Sequence, residues 1–192
     1  MVDEASEVAS PLVRELPTVT PAFKAWFGDS AIVNPEGEPL RVFHGTAADF
    51  SIFDPARLGE QTGGADARCG YFFAENPKSA EQFTWKQGEK SGSIMPAYLC
   101  VSNPMVSDHL LDGSTGTTAG KIIQAAKDAG HDGVVFQRSD MLGHTGRTFV
   151  AFAPGQIKSA LGNNGDFDGS NTDIRFSLVD QDDQASLDAP YP

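Results

Sequence analysis

The sequence has few cysteines among its 192 residues, no long apolar run and little positive charge. Its two cysteines, Cys69 and Cys100, are too few and too far apart for a disulfide framework or a cysteine metal site. Three of the four histidines, His109, His131 and His144, have no metal-ligand spacing with one another or with the cysteines. No metal is therefore expected.

The apolar runs are only a few residues long, far below the roughly 20 residues that cross a membrane. The first residues lack the basic and apolar regions of a secretory signal, so neither membrane insertion nor export is expected. Acidic residues outnumber basic ones 26 to 14, which gives a net charge of −12. Because such a chain repels phosphate backbones, passive binding to nucleic acid is not expected.

Much of the negative charge lies at the two ends of the chain. Residues 1–19 and 178–192 hold eight of the acidic residues and one basic residue, with no apolar periodicity. We predict that they are flexible flanks, the C-terminal one acidic, around a single domain at residues 20–177.

Helix signals within this domain are few. Thr20 and Pro21 are typical of an N-cap and a first-turn proline, and they predict a helix over Pro21–Phe27 that ends at Gly28. A second helix, capped by Asn76, is predicted to run to about residue 87. The apolar spacing of residues 119–129 predicts a third.

Short apolar and aromatic segments predict most of the remaining structure. The predicted strands cover residues 40–44, 71–74, 96–101, 133–137 and 148–153. Residues 59–70 hold four glycines and several small polar residues, which predicts a mobile loop. Many short strands with few helices indicate an α+β fold.

The first candidate for chemistry is the turn His44-Gly45-Thr46, at the end of a predicted strand. An imidazole and a hydroxyl flank a glycine whose main chain a flat ligand can approach, so that N–H and C=O can pair with an amide. The alternative is that His44 only caps a turn.

The second candidate is the strand from Gly70 to Ala74 with the helix after it. Ser79 and Phe83 are four residues apart and share a helix face. Together with an aromatic of the strand, Phe83 would sandwich a planar ring while Ser79 reaches its polar edge. We interpret Phe73 as a core residue, whereas Tyr71 and Phe72 are each open to a core or a binding role.

This succession of motifs resembles the diphtheria-toxin and poly-ADP-ribose-polymerase class of ADP-ribosyltransferases, in particular the domain found in phage and mobile-element polyvalent proteins. The class shows a strand ending in His-Gly-Ser/Thr, a Gly-x-Tyr-Phe strand, and a helix with a serine and an aromatic. The matching stretches are residues 23–30, 37–46, 50–54, 70–83, 98–104, 130–135 and 149–177. The resemblance implies a split β-sheet core with short flanking helices, and NAD as the substrate.

The resemblance also implies a role for each matching residue. His44 would bond a ribose hydroxyl of NAD, and Gly45, within the His44-Gly45-Thr46 turn, would grip the nicotinamide carboxamide with help from Ser79. Tyr71 or Phe72 would stack on the nicotinamide, and Phe83 would close its other face.

The sequence departs from the class at one position. The class carries a glutamate at the start of a late strand, where this chain has Thr148. Gln137 is our first candidate for the missing hydrogen bond to the ribose, and Thr148 is the second. The catalytic set predicted from the sequence is therefore His44, Tyr71, Gln137 and Thr148. Should neither replacement act, Glu60 or Asp132 is the next candidate.

The resemblance predicts a mono-ADP-ribosyltransferase of phage or mobile-element origin that modifies a host protein or nucleic acid in the host cytoplasm. Two alternatives stay open. The first is an NAD glycohydrolase, in which water replaces the acceptor. The second is an inactive NAD-pocket binding or virion module, which the missing glutamate favours.

Overall fold

The computed structural model describes residues 17–48, 50–60, 62–86, 89–90, 92–112, 116–141, 143–161, 163 and 167–174. The predicted flanks lie outside this part of the chain, except for Pro17–Val19, which forms a short 3-10 helix. Within the described residues, no helix is long and apolar enough to span a membrane.

Three α-helices and nine β-strands lie in the described part of the chain. The helices are α1 (Pro21–Phe27), α2 (Pro77–Glu81) and α3 (Gly116–Asp128). The strands are β1 (Val42–Thr46), β2 (Tyr71–Ala74), β3 (Trp85–Lys86), β4 (Glu89–Lys90), β5 (Ser93–Leu99), β6 (Pro104–Leu111), β7 (Gly133–Met141), β8 (His144–Ala151) and β9 (Ile157–Ser159).

Seven strands form one sheet in the order β6-β7-β8-β2-β1-β5-β9, and β3 pairs with β4 apart from it. All neighbours in the sheet are antiparallel except β6 and β7, which are parallel and connected through α3. The predicted α+β class is confirmed, with three short helices against a mostly antiparallel sheet.

The two faces of the sheet carry separate apolar clusters, as the period of two in a strand requires. On β2, Tyr71 and Phe73 belong to the larger cluster with Val42, Leu99 and Ile157. Phe72 instead packs on the opposite face, in the cluster formed with α3. The sequence Tyr-Phe-Phe therefore places its aromatic rings on both sides of one short strand.

Local capping explains where the first two helices begin. The Thr20 hydroxyl accepts a hydrogen bond from the Phe23 N–H at 3.1 Å, and the helix ends at Gly28, which has a φ of 50°, as predicted. Asn76 caps α2 in the same way through Lys78.

The predicted length of α2 was wrong, because the α-helix ends at Glu81 and one 3-10 turn follows it before β3 begins at Trp85. The Thr84 hydroxyl donates to the Glu81 carbonyl at 2.8 Å, so a side chain satisfies an acceptor that the next helical turn would have used.

A segment near the C-terminal end of the described chain, residues 167–174, lies against β9. The Lys158 side chain is fully buried, and its ammonium donates to the carbonyls of Asn171 at 2.7 Å and Asp173 at 2.9 Å. Asp173 also bridges to Ile52, and the Ile174 N–H donates to the Ser51 carbonyl at 2.9 Å. The segment is thereby attached to residues 51–52.

Candidate active site

The sheet opens between its central strand, β2, and the neighbouring strand β1. They pair at a single position, Phe43 with Ala74, although β1 pairs with β5 along all five of its residues. Continued pairing would have placed Gly45 opposite Phe72. The strands separate before that position, and this is the split that the resemblance predicted.

The pairing pattern fixes which main-chain groups face the split. Phe43 lies opposite Pro96, which has no N–H, so this pair cannot be one of the doubly hydrogen-bonded pairs of the β1–β5 ladder. Alternation then directs the N–H and C=O of Phe43 and Gly45 towards β2. Because β2 has already separated at Gly45, the peptide groups of this glycine face the split.

The opposite edge of the split shows the same alternation. The Glu75 N–H donates to the Arg147 carbonyl on β8, so the neighbouring residue Ala74, and Phe72 two positions before it, turn their peptide groups towards β1. The Phe72 carbonyl bonds the His44 ring at 2.8 Å instead of the Gly45 N–H. The imidazole therefore takes the place of a ladder bond and holds the split open.

This contact sets the tautomer of His44. A carbonyl only accepts hydrogen bonds, so Nδ1 carries the proton and Nε2 of the neutral ring is an acceptor. Burial lowers the pKa of His44, which outweighs the opposite effect of the Phe72 contact. The ring packs against Phe53 and Phe73, with centroid distances of 5.0 and 5.4 Å.

A cleft of about 750 Å³ opens at the split. It brings together all but one of the predicted site residues, and these are His44, Gly45, Thr46, Tyr71, Phe72, Ser79, Phe83 and Thr148. Its volume lies in the ordinary range for small-molecule and cofactor sites.

Helix α2 forms one wall of the cleft and packs directly on β1. A Cβ atom at Gly45 would overlap the Ala80 carbonyl oxygen, so only glycine allows the helix to lie this close to the strand. This packing brings Ser79 and Phe83 into the cleft beside the Gly45 main chain. The Ser79 hydroxyl donates to the His144 carbonyl at 3.0 Å and keeps its oxygen lone pairs for a ligand.

The two aromatic candidates on β2 have different surroundings. Tyr71 is buried, its hydroxyl donates to the Phe53 carbonyl at 3.0 Å, and burial, with the charge of Asp54, raises its pKa to about 12. Phe72 is only half-buried and lies on the sheet face opposite to Tyr71. The hydroxyl of Tyr71 is thus engaged within the protein, while the ring of Phe72 is partly accessible.

Thr46 ends β1 with a local turn. Its hydroxyl accepts from the Ala48 N–H at 3.0 Å and donates to the Ala48 carbonyl at 3.2 Å. The side chain is buried, and these contacts fix the direction in which the chain leaves the strand.

The candidates for the missing glutamate lie in different places. Thr148 on β8 is buried, pairs with Ala74 and lines the cleft. Gln137 is exposed, lies where β7 carries an extra residue relative to β8, and is absent from the described lining of the cleft. Asp132 accepts hydrogen bonds from the N–H groups of Ser102 and Asn103, which gives it a structural role.

Residues 50–60 form a further wall of the cleft, in which the sequence analysis named only Glu60, as a later candidate for the missing carboxylate. Phe50, Phe53, Asp54, Arg57 and Glu60 all line the cleft. The Arg57 guanidinium pairs with the Glu60 carboxylate at 2.9 Å, and both side chains are more than half exposed. The matching stretch at residues 50–54 was the available signal, because its two phenylalanines flank the His44 ring.

Comparison with known proteins adds one finding. A family model described as ADP-ribosyltransferase in polyvalent proteins matches residues 34–167. No curated protein and no solved structure matches the chain. Within the described residues, no group of three or more histidine, cysteine, aspartate or glutamate side chains could hold a metal ion.

Proposed function

Because the chain belongs to the family of ADP-ribosyltransferase domains of polyvalent proteins, we propose that it is an NAD-dependent mono-ADP-ribosyltransferase. The activity of this family is ADP-ribosyl transfer, and NAD is the substrate that such domains use. Mono-transfer, the acceptor and the use of NAD by this chain are the parts that we propose.

The observation that carries the proposal is the split beside Gly45. Its N–H and C=O face the opening, and a primary carboxamide presents the complementary acceptor and donor at one edge. Nicotinamide carries such a carboxamide on a flat ring. We propose that it pairs with the Gly45 main chain, with the Ser79 oxygen at the same edge.

The aromatic residues then hold the ring. Phe72 is partly accessible and lines the cleft together with Phe83 and Ser79, so we propose Phe72 as the stacking residue and Phe83 as the opposite wall. Tyr71 supports the site by bonding the Phe53 carbonyl, next to the His44 ring. The Nε2 atom of His44 accepts a hydrogen bond from a ribose hydroxyl.

The proposed reaction breaks the bond between nicotinamide and C1′ of the ribose. The bonding pair leaves with the nicotinamide, and positive charge develops on the ribose until the acceptor supplies a lone pair. The protein accelerates this step by positioning and by stabilising the developing charge. Thr148 lines the cleft, so we propose that its hydroxyl holds the ribose in place of Gln137.

The setting that we propose is a host cell infected by a phage or carrying a mobile element. There the domain would act in the host cytoplasm on a host protein or nucleic acid. With a net charge of −12, any nucleic-acid acceptor would have to be recognised locally and not through general attraction.

Thr148 also favours a second candidate, because no carboxylate occupies the usual position of the catalytic glutamate. On this alternative the domain binds NAD without turning it over, as a binding or virion module. A third candidate is an NAD glycohydrolase, in which water takes the place of the acceptor.

One experiment separates these functions. The full chain is incubated with labelled NAD and a lysate of the host, and modified species are identified by mass spectrometry. ADP-ribose on a macromolecule supports the transferase, and free ADP-ribose alone identifies the hydrolase. Thermal stabilisation by millimolar NAD without turnover identifies the binding module. No stabilisation and no turnover contradicts all three.

A further inference from the structure

We propose that Arg57 and Glu60 form an exchange pair. The diphosphate of NAD binds the Arg57 guanidinium in place of the Glu60 carboxylate, and the released carboxylate then offsets the positive charge that develops on the ribose. This inference rests on the proposed function, since it assigns residues to the same cleft. It places the missing carboxylate on the wall formed by residues 50–60 and not on β8.

The charges of the residues that line the cleft indicate that Arg57 binds the diphosphate. Arg57 is the one lysine or arginine among the described residues that line it, alongside the acidic residues Asp54, Glu60 and Asp66. A diphosphate that enters this cleft carries two negative charges, and a guanidinium is the group that matches phosphate oxygens in geometry and charge. Arg57 is therefore the expected diphosphate ligand.

The present partner of Arg57 is held weakly. The Arg57–Glu60 contact of 2.9 Å joins two side chains that are each 57% exposed and only three residues apart. Exposed pairs of this kind contribute little to stability, whereas charge-assisted bonds from arginine to phosphate are strong. The diphosphate consequently replaces the carboxylate without a large cost.

Glu60 differs from the other two acidic residues of the cleft because, within the described residues, its carboxylate is not bound to a nearby main-chain N–H. Asp54 caps the 3-10 turn through the Ala56 N–H, and Asp66 accepts from the Ala67 N–H, so both carboxylates are used locally. Among the described contacts, Arg57 is the partner of the Glu60 carboxylate. Once released, Glu60 is a free carboxylate in the cleft where the ribose cation forms.

The C1′–nitrogen bond breaks and its electron pair leaves with neutral nicotinamide. The Glu60 carboxylate offsets the positive charge on the ribose. The acceptor's lone pair forms the new bond to C1′, and the proton that the acceptor loses passes to Glu60. Thr148 on β8 holds the ribose from the other side.

The test compares ligand binding and turnover in three variants, Arg57→Ala, Glu60→Gln and Glu60→Asp, with two controls. Binding of ADP-ribose and of nicotinamide riboside, which lacks the diphosphate, is measured by calorimetry. Arg57→Ala should lower the affinity for ADP-ribose at least about tenfold and leave the affinity for nicotinamide riboside unchanged. Glu60→Gln should bind ADP-ribose more tightly than wild type, because Arg57 no longer has a charged competitor. Equal ADP-ribose affinity in wild type and either variant overturns the exchange.

Turnover is measured as nicotinamide release. Glu60→Gln should lower it by about 10²–10³-fold, with partial recovery in Glu60→Asp. The matched controls are Lys78→Ala and Glu81→Gln, a pair with the same spacing on α2 whose members are not among the described lining residues. Unchanged nicotinamide release in Glu60→Gln, or no nicotinamide release by the wild type, overturns the catalytic role of Glu60. Failure of wild type to bind NAD overturns the proposed function itself, whereas normal NAD binding with unaffected variants overturns only the exchange.

Discussion

At the scale of single residues, His44 has the most definite assignment. One ring nitrogen replaces a missing main-chain bond to Phe72, and this contact decides which nitrogen remains for a ligand. The residue thus links the shape of the split sheet to the chemistry of the cleft.

The state of His44 predicts how NAD binding depends on pH. Its pKa lies below the ordinary value of 6.5, so the ring is neutral at pH 7 and Nε2 accepts a hydrogen bond. As the pH falls through the folded pKa, Nε2 gains a proton and the affinity for NAD should decrease. Calorimetry from about pH 8 down to the lowest pH at which the chain stays folded measures this, and His131→Gln should show the same decrease. A constant affinity would contradict the assignment.

The same shift has a consequence for stability. Between the folded pKa of His44 and 6.5, the unfolded chain binds more protons than the folded one. The contribution of His44 to the free energy of unfolding therefore rises with pH in this window and is lost below it.

Thr148 and Gln137 provide a matched comparison of the two candidates for the ribose contact. Thr148 lines the cleft and Gln137 is exposed outside its described lining. Thr148→Ala should lower nicotinamide release by about 10–10³-fold while hardly changing NAD affinity, as expected of a contact made mainly in the transition state. Gln137→Ala should release nicotinamide at the wild-type rate. The reverse outcome would restore Gln137 as the functional residue.

At the scale of elements, the site depends on how closely α2 approaches β1. Gly45→Ala would push a Cβ into the Ala80 carbonyl and force the helix away from the strand. We expect a loss of about 1–3 kcal/mol in the free energy of unfolding, together with weaker NAD binding. Denaturant unfolding measures the first effect. The control is Gly146→Ala on β8, where the added Cβ would meet its nearest atoms at 3.6 Å. Equal stability of the two variants would show that the packing tolerates the change.

The aromatic strand β2 shows how an element divides its residues between core and site. The alternation of side chains along a strand places Tyr71 and Phe72 on opposite faces, but it does not show which ring is accessible. The position of the split beside β1 decides which of the two rings a ligand can reach. Tyr71 lies against Phe53, and Phe72 lies on the opposite face of the sheet, packed on the cluster that α3 forms.

At the scale of the whole molecule, the folded unit extends beyond residues 34–167, the range of the family match. Helix α1 precedes it and packs through Phe23 and Trp26 against Phe167. Residues 168–174 follow it and attach to residues 51–52 next to the cleft. The wall that holds Phe53 is therefore attached to the segment that follows residue 167.

Lys158 tests this attachment. Replacing it by methionine leaves the carbonyls of Asn171 and Asp173 without their buried donor. We expect the free energy of unfolding to fall by about 1–3 kcal/mol and the NAD affinity to fall with it, because residues 51–53 lose their support. The control is Lys121→Met on the exposed side of α3, which should change neither. Wild-type NAD affinity in Lys158→Met would show that the wall stands without this segment.

Much of this protein follows from local sequence. The caps at Thr20 and Asn76, the aromatic strand at residues 71–74 and the apolar spacing of α3 depend on neighbouring residues, and each is confirmed. The ordered motifs from His44 to Phe83 predicted the family, which the match over residues 34–167 confirms. Strands β6 and β9 were not predicted, because their mixed polar pattern forms a strand only beside β7 and β5.

The tertiary structure alone decided the remainder. Which carboxylate, hydroxyl or amide reaches the cleft depends on strand order, on the extra residue in β7 and on the path of residues 50–60. These are contacts between residues far apart in the chain, and no local pattern encodes them. The sequence by itself therefore determined the family and predicted a main-chain site at Gly45, whereas folding decided that Thr148, Arg57 and Glu60 line the cleft beside this glycine and that Gln137 does not.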